Sequence, residues 1–147
     1  MNKRETVQAL MDSIQQGEFE NASSMLADDF QFSGPISEPI DKEAWLDMST
    51  RLKTAFPDLD YHFKVIGAEG DVVRTTMQLT GTHSGAFDLT DVNMGVIPAT
   101  NKAFSAKREK TKLTVKENKI TAWVVDPTEG AGLDAILGQL IGQPAIL

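Results

Sequence analysis

The chain has no cysteine in its 147 residues. That excludes disulfides, thiolate metal sites and a cysteine nucleophile, and leaves the compartment open. Histidine is almost as scarce: His62 and His83 are the only two, and neither sits in an HxxxH or paired-carboxylate spacing, so no metal site is expected. Positive charge is in deficit. Lys and Arg total 14 against 21 Asp and Glu, a formal net charge of −7, which speaks against nucleic acid and against anionic membrane surfaces. No apolar run is long enough to span a membrane, and the opening MNKRETVQALMDSIQQG lacks the apolar core of a signal peptide, so a cytoplasmic location is expected. There is no glycine-rich phosphate loop after a strand and no GxSxG elbow, so no nucleotide or other cofactor is expected. What the chain does have is 41% hydrophobic residues without repeats or low-complexity tracts. That suffices for one domain over 1–147 with a proper core.

Periodicity divides the chain into helices followed by strands. Val7, Leu10, Met11 and Ile14 make one stripe of a helix from Asn2 to Gln16, which Gly17 ends. Phe19, Ala22, Met25 and Leu26 do the same for a second helix over Glu18 to Ala27. A short strand is expected from Phe30 to Ser33, stopped by Gly34-Pro35. Asp41 is an N-cap for a third helix carrying Trp45, Met48, Leu52 and Phe56, and Pro57 marks its end. Strands then follow over Asp60 to Ala68, Asp71 to His83, Ala103 to Val115 and Lys119 to Val125, with turns at Glu69-Gly70 and Glu117-Asn118. A last amphipathic helix spans Leu133 to Leu140. The order predicts an α+β fold. Ser84 to Lys102 is a long connection, of the kind that serves as a lid, a partner-binding loop or a surface excursion.

Strand parity selects the candidate site residues. His83 shares a face with Val73, Thr75, Met77, Leu79 and Gly81. It can polarise a carbonyl or orient a carboxylate, or it can simply fix the Gly81–Gly85 corner. Asp126 shares parity with Ile120, Ala122 and Val124. If those point inward, its carboxylate sits at the lip of a pocket, where desolvation makes it a better base. Alternatively, Asp126-Pro127-Thr128 merely opens a turn. Trp123 and Val125 are then left for the outer side, an apolar face to be covered by a second copy in a symmetric homodimer or by the tail from Gln143 to Leu147. Tyr61 points inward with Phe63 and Val65, while His62 faces water. Tyr61, Trp45, Met48, Met77 and Phe32, with Met94, are expected to line a flat hydrophobic ligand site, or to be core. Lys107-Arg108-Glu109-Lys110 reads as a solvated face.

Four segments in order carry a resemblance: Phe56-Pro57-Asp58-Leu59, Ala68-Glu69-Gly70-Asp71, Leu79-Thr80-Gly81-Thr82-His83-Ser84-Gly85, and Gly95-Val96-Ile97-Pro98-Ala99-Thr100-Asn101-Lys102. Asn118-Lys119-Ile120, Trp123 and Asp126 add a looser fifth. Together they resemble the SnoaL-like polyketide cyclases of the nuclear-transport-factor-2-like superfamily, with Asn101 standing where that pattern has glycine. The resemblance implies a cone-shaped, curved antiparallel sheet wrapped around N-terminal helices, the cystatin-like fold. It also implies a cofactor-independent acid/base cyclase or isomerase acting on a hydrophobic, polyketide-like carbonyl compound. Asp126 would be the acid/base group, with His83, and Tyr61 as an additional donor, stabilising an enolate. Two other readings stay open: a non-catalytic ligand-binding or dimerisation module, and a dehydratase using a His83–Asp126 pair.

Overall fold

The computed structural model describes residues 2–34, 38–90, 95–126, 128, 131 and 133–141. The expectations placed on Pro127, Met94 and the tail from Gln143 lie outside them. Helix α1 (Lys3–Gln15) opens with a capping box: Asn2 accepts from the Glu5 backbone N–H, and the Glu5 side chain accepts from that of Asn2. Its stripe Val7, Leu10, Met11 and Ile14 is fully buried across β3 (Lys64–Glu69), β4 (Val72–Met77) and β9 (Glu109–Lys116). Helix α2 (Phe19–Ser24) is shorter than periodicity suggests. The chain leaves it at Met25 and enters β1 (Leu26–Ser33), because Leu26 pairs with Ile120 instead of continuing the helix. Strand β2 (Ile40–Asp41) leads into α3 (Lys42–Ala55), capped by the Asp41 carboxylate on the Ala44 N–H.

The main sheet runs β2-β1-β10-β9-β4-β3, with β10 spanning Lys119–Val125. Its neighbours are antiparallel except β1 with β10. The two longest strands foreseen are each interrupted. One divides into β4 and β5 (Thr80–Thr82), the other into β8 (Ala103–Ser105) and β9, and β5 pairs with β8 as a separate ribbon. Tyr61 to Phe63 precede β3 outside the ladder, since His62 adopts φ 47. Within the 84–102 connection, β6 (Phe87–Leu89) pairs with β7 (Gly95–Ile97), so this stretch is a hairpin packed on α3. Asn101 has φ 58, a left-handed conformation that Asn tolerates, which explains why it can replace glycine there. Helix α4 (Leu133–Ile141) buries Ile136, Leu137 and Leu140. Its Gln139 clasps Ser105, accepting from the backbone N–H at 2.9 Å and donating to the carbonyl at 2.8 Å.

Register defines the sheet face turned to the helices. Phe32, Trp123, Leu113 and Val73 lie side by side in one row, Val125, Thr111, Thr75 and Val65 in the next, and Glu109 opposes Met77 in a third. Strand β10 carries an irregularity between Ile120 and Ala122. An extra residue shifts parity by one. Ile120, Trp123 and Val125 are therefore all buried, while Val124 is 40% exposed. The expected parity, with Ala122, Val124 and Asp126 inward and Trp123 and Val125 outward, is corrected by that bulge.

Candidate active site on the helix-facing sheet

Trp123 is the centre of an aromatic wall. Its ring lies 5.6 Å from Phe32, 6.2 Å from Trp45 and 6.0 Å from Phe63 between centroids. Tyr61 stacks on Phe63 at 4.9 Å. Four of the five residues expected to line a ligand site are thus buried around one face: Trp45, Phe32 and Tyr61 within this wall and Met77 beside it. Met48 is half-buried at the edge of the core. Tyr61 is buried and His62 exposed, the expected sides, although the left-handed His62 and not strand alternation sets them; His62 meets Thr80 Oγ1 at 3.0 Å. Burial pushes the Tyr61 phenol pKa upward, so this hydroxyl stays protonated at neutral pH.

Glu109 is the group that sequence reasoning missed. Lys107, Arg108 and Lys110 are exposed, as a solvated run would be, but Glu109 is 2% exposed. Strand alternation explains it: Glu109 shares a face with Thr111, Leu113 and Val115, all buried. The signal was legible in the parity of β9 and hidden by the flanking charges. One carboxylate oxygen, Oε2, is buried without a hydrogen-bond partner among the described residues. Desolvation raises the carboxyl from the usual 4.5 to about 7. The next row supplies the hydroxyls of Thr75 and Thr111, which hydrogen-bond each other.

His83 is completely buried, but in a different layer. Its ring lies 5.4 Å from Phe56 and 6.5 Å from Phe87. Nδ1 is 3.0 Å from Thr100 Oγ1 and accepts from the Thr100 N–H at 3.3 Å. Its backbone exchanges hydrogen bonds with the 101–102 turn, donating to the Lys102 carbonyl and accepting from the Asn101 N–H. The adjoining Gly85 N–H donates to the Ala55 carbonyl. Burial pushes the imidazole pKa down, partly opposed by the Ile97 backbone. These contacts are those of a neutral histidine fastening the corner between β5 and the 84–102 hairpin.

Asp126 is half-buried on the opposite side of the sheet. It borders a groove of about 590 Å³ with Ile66, Glu69, Val72, Arg74, Lys110 and Lys112, to which Thr75 and Thr111 also contribute. No hydrogen bond or ion pair joins it to His83 among the described residues. The two residues expected to share a pocket are therefore not brought together: His83 packs in the Phe56–Phe87 layer and Asp126 borders this groove, beyond the β10 bulge that shifts the strand's parity. Arg74 is exposed on the same outer face.

With this architecture in view, comparison with family models gives a match to the SnoaL-like polyketide cyclases over residues 4–126. The chain belongs to that family. Wild-type IdmH from Streptomyces antibioticus, a candidate polyketide cyclase, superposes with a TM-score of 0.69 at 23% identity, covering 85% of this chain and 91% of its own. A SnoaL-like cyclase candidate from Jannaschia sp. CCS1 gives 0.75 at 20% identity, covering 97% and 93%. AclR from Streptomyces galilaeus, a candidate hydroxylase, gives 0.74 at 20%, covering 99% and 84%. At such identities these structures establish the shared α+β cone. No curated protein sequence matches the chain.

Proposed function

We propose that this family member is a cofactor-independent acid/base cyclase or isomerase for a hydrophobic, polyketide-like carbonyl compound, with Glu109 as its proton-transfer group. The observation that carries the reading is a buried carboxyl with an unpartnered oxygen on the helix-facing sheet, beside an aromatic wall. A carboxyl held near 7 is half ionised at neutral pH. It can therefore both take a proton and return it.

In the forward step Glu109 removes hydrogen from the carbon next to a carbonyl. The C–H pair becomes the C=C bond of an enolate, and the negative charge moves to oxygen. The enolate carbon then attacks a second carbonyl of the same molecule to close a ring, the new alkoxide taking up the proton. Where the enolate is conjugated with a further C=C bond, the far carbon instead takes the proton and the double bond shifts to isomerise. The proton returns from Glu109, so no oxidant or further reactant is consumed. Holding the chain folded between flat rings supplies the proximity that closure needs. The outer face, with Ile66 and Val124 at 47% and 40% exposure, supports a homodimer joined through the sheet.

The test is deuterium uptake from D₂O next to the carbonyl of 2-tetralone, a flat apolar ketone, followed by NMR. Glu109→Gln is expected to lower the protein-dependent rate by about 100-fold or more, and Asp126→Asn to leave it within a few-fold. The reverse pattern would return the role to Asp126. No protein-dependent uptake would leave the ligand-binding reading in its place.

A further inference from the structure

Among the described residues, the buried side-chain nitrogen and oxygen atoms with no hydrogen-bond partner are His83 Nε2, Glu109 Oε2 and Trp123 Nε1. His83 Nε2 belongs to the Phe56–Phe87 layer. The other two lie on one sheet face. An indole N–H can only donate, and burying it unpaired costs free energy that folding ordinarily avoids. Trp123 is 3% exposed, so water outside the fold does not satisfy it.

The backbone positions of Trp123 and Glu109 are separated along the sheet, since Trp123 opposes Leu113 while Glu109 lies four residues further along β9. Trp123 packs on Phe63, which immediately precedes β3, and on the adjoining strand β4 Met77 opposes Glu109. Phe63 and Met77 are the apolar side chains along which a flat ligand would lie to meet both groups.

Building on the reading of Glu109 as the proton-transfer group, we infer that Trp123 Nε1 is the hydrogen-bond donor for the ligand's carbonyl oxygen, and that the site selects flat ketones with one buried oxygen acceptor. The selectivity follows from the count. Among the described residues the face offers one fully buried unpartnered donor, Trp123 Nε1, and one fully buried unpartnered carboxylate oxygen; the Thr75 and Thr111 hydroxyls already bond each other, and the Tyr61 phenol stacked on Phe63 is the one further hydroxyl of the wall. An additional ligand oxygen out of reach of the Tyr61 hydroxyl would be buried without a donor, while a hydrocarbon of the same shape would leave the indole unpaired. An N–H aimed at the carbonyl oxygen gains strength as negative charge develops there, so Trp123 would act with Glu109 on the enolate.

The experiment titrates the wild-type protein with 2-tetralone and, separately, with tetralin, the same skeleton without its oxygen, following the two indole N–H resonances by NMR. The chain has two tryptophans, and Trp45→Phe assigns the Trp123 signal. The inference expects a downfield shift of the Trp123 indole proton with the ketone that tetralin does not reproduce. It also expects Trp123→Phe to weaken the ketone by about tenfold and to leave tetralin unchanged. Equal responses to the two ligands, a Trp123 signal unmoved by bound ketone, or no binding of the ketone would each overturn it. Because the shift reports binding alone, it should persist in Glu109→Gln. A persistent shift without deuterium uptake would refute the catalytic reading and leave the carbonyl donor standing.

Discussion

At the scale of single residues, Glu109 sets a conflict between folding and chemistry. Its carboxyl titrates near 4.5 in an ordinary environment and near 7 in the fold. The folded state therefore holds the proton more tightly than the unfolded chain does. Below the ordinary value both states are protonated and the group costs nothing. As pH rises from 4.5 towards 7, the unfolded chain ionises first and stability falls, levelling off above 7. The full loss corresponds to about 3 kcal/mol. Glu109→Gln abolishes that titration. The variant is expected to be more stable than wild type by about 1 to 3 kcal/mol at a pH above 7, and to lose the advantage below the ordinary glutamate range. Urea unfolding at both pH values checks it, and equal stability throughout would mean that the carboxyl is solvated. His83 acts in the other direction. With its pKa pushed below the usual 6.5, the neutral form is favoured in the fold, and its contribution is lost as pH falls below that value.

At the scale of elements, the ends of β1 and β10 are tied by Gly34. It adopts φ +132, and a Cβ there would run into the Val125 carbonyl. Gly34→Ala is expected to cost about 2 kcal/mol or more, through backbone strain and a clash that neither strand can relieve. Gly70 is also left-handed, at φ +60, but a Cβ there meets nothing, so Gly70→Ala is expected to cost only about 1 kcal/mol. Paired denaturation midpoints read the difference, and equal costs would contradict the close approach of the two strands. The helix stripes and the Glu117-Asn118 turn, with φ 52 and 63, were legible in the sequence because each depends on neighbours a few residues away. The Thr121 region of β10 was not. Its bulge arises from pairing with β9 and β1, and one unforeseen residue reversed every inference downstream, moving Trp123 in and Asp126 out. Glu109 was lost differently: three basic neighbours drew attention from an alternation that Thr111, Leu113 and Val115 state clearly.

At the scale of the whole molecule, the sheet separates two surfaces of different character. One holds the buried carboxyl and aromatic wall. The other carries Arg74, Lys110 and Lys112 among Glu69, Asp126 and the exposed apolar Ile66 and Val124. Mixed charge around apolar patches suits a self-complementary contact about a two-fold axis. Sedimentation at micromolar concentration is expected to show a dimer that Val124→Lys with Ile66→Lys converts to monomer; a monomeric wild type would refute it. No helix among the described residues is long and apolar enough to cross a membrane. The most direct test of the account is the dependence of 2-tetralone deuterium exchange on pH in wild type, Glu109→Gln and Asp126→Asn. The rate should rise through a midpoint near 7 in wild type and Asp126→Asn, and be low and flat in Glu109→Gln. A midpoint in the ordinary carboxylate range, or a profile that survives Glu109→Gln and vanishes in Asp126→Asn, would contradict it.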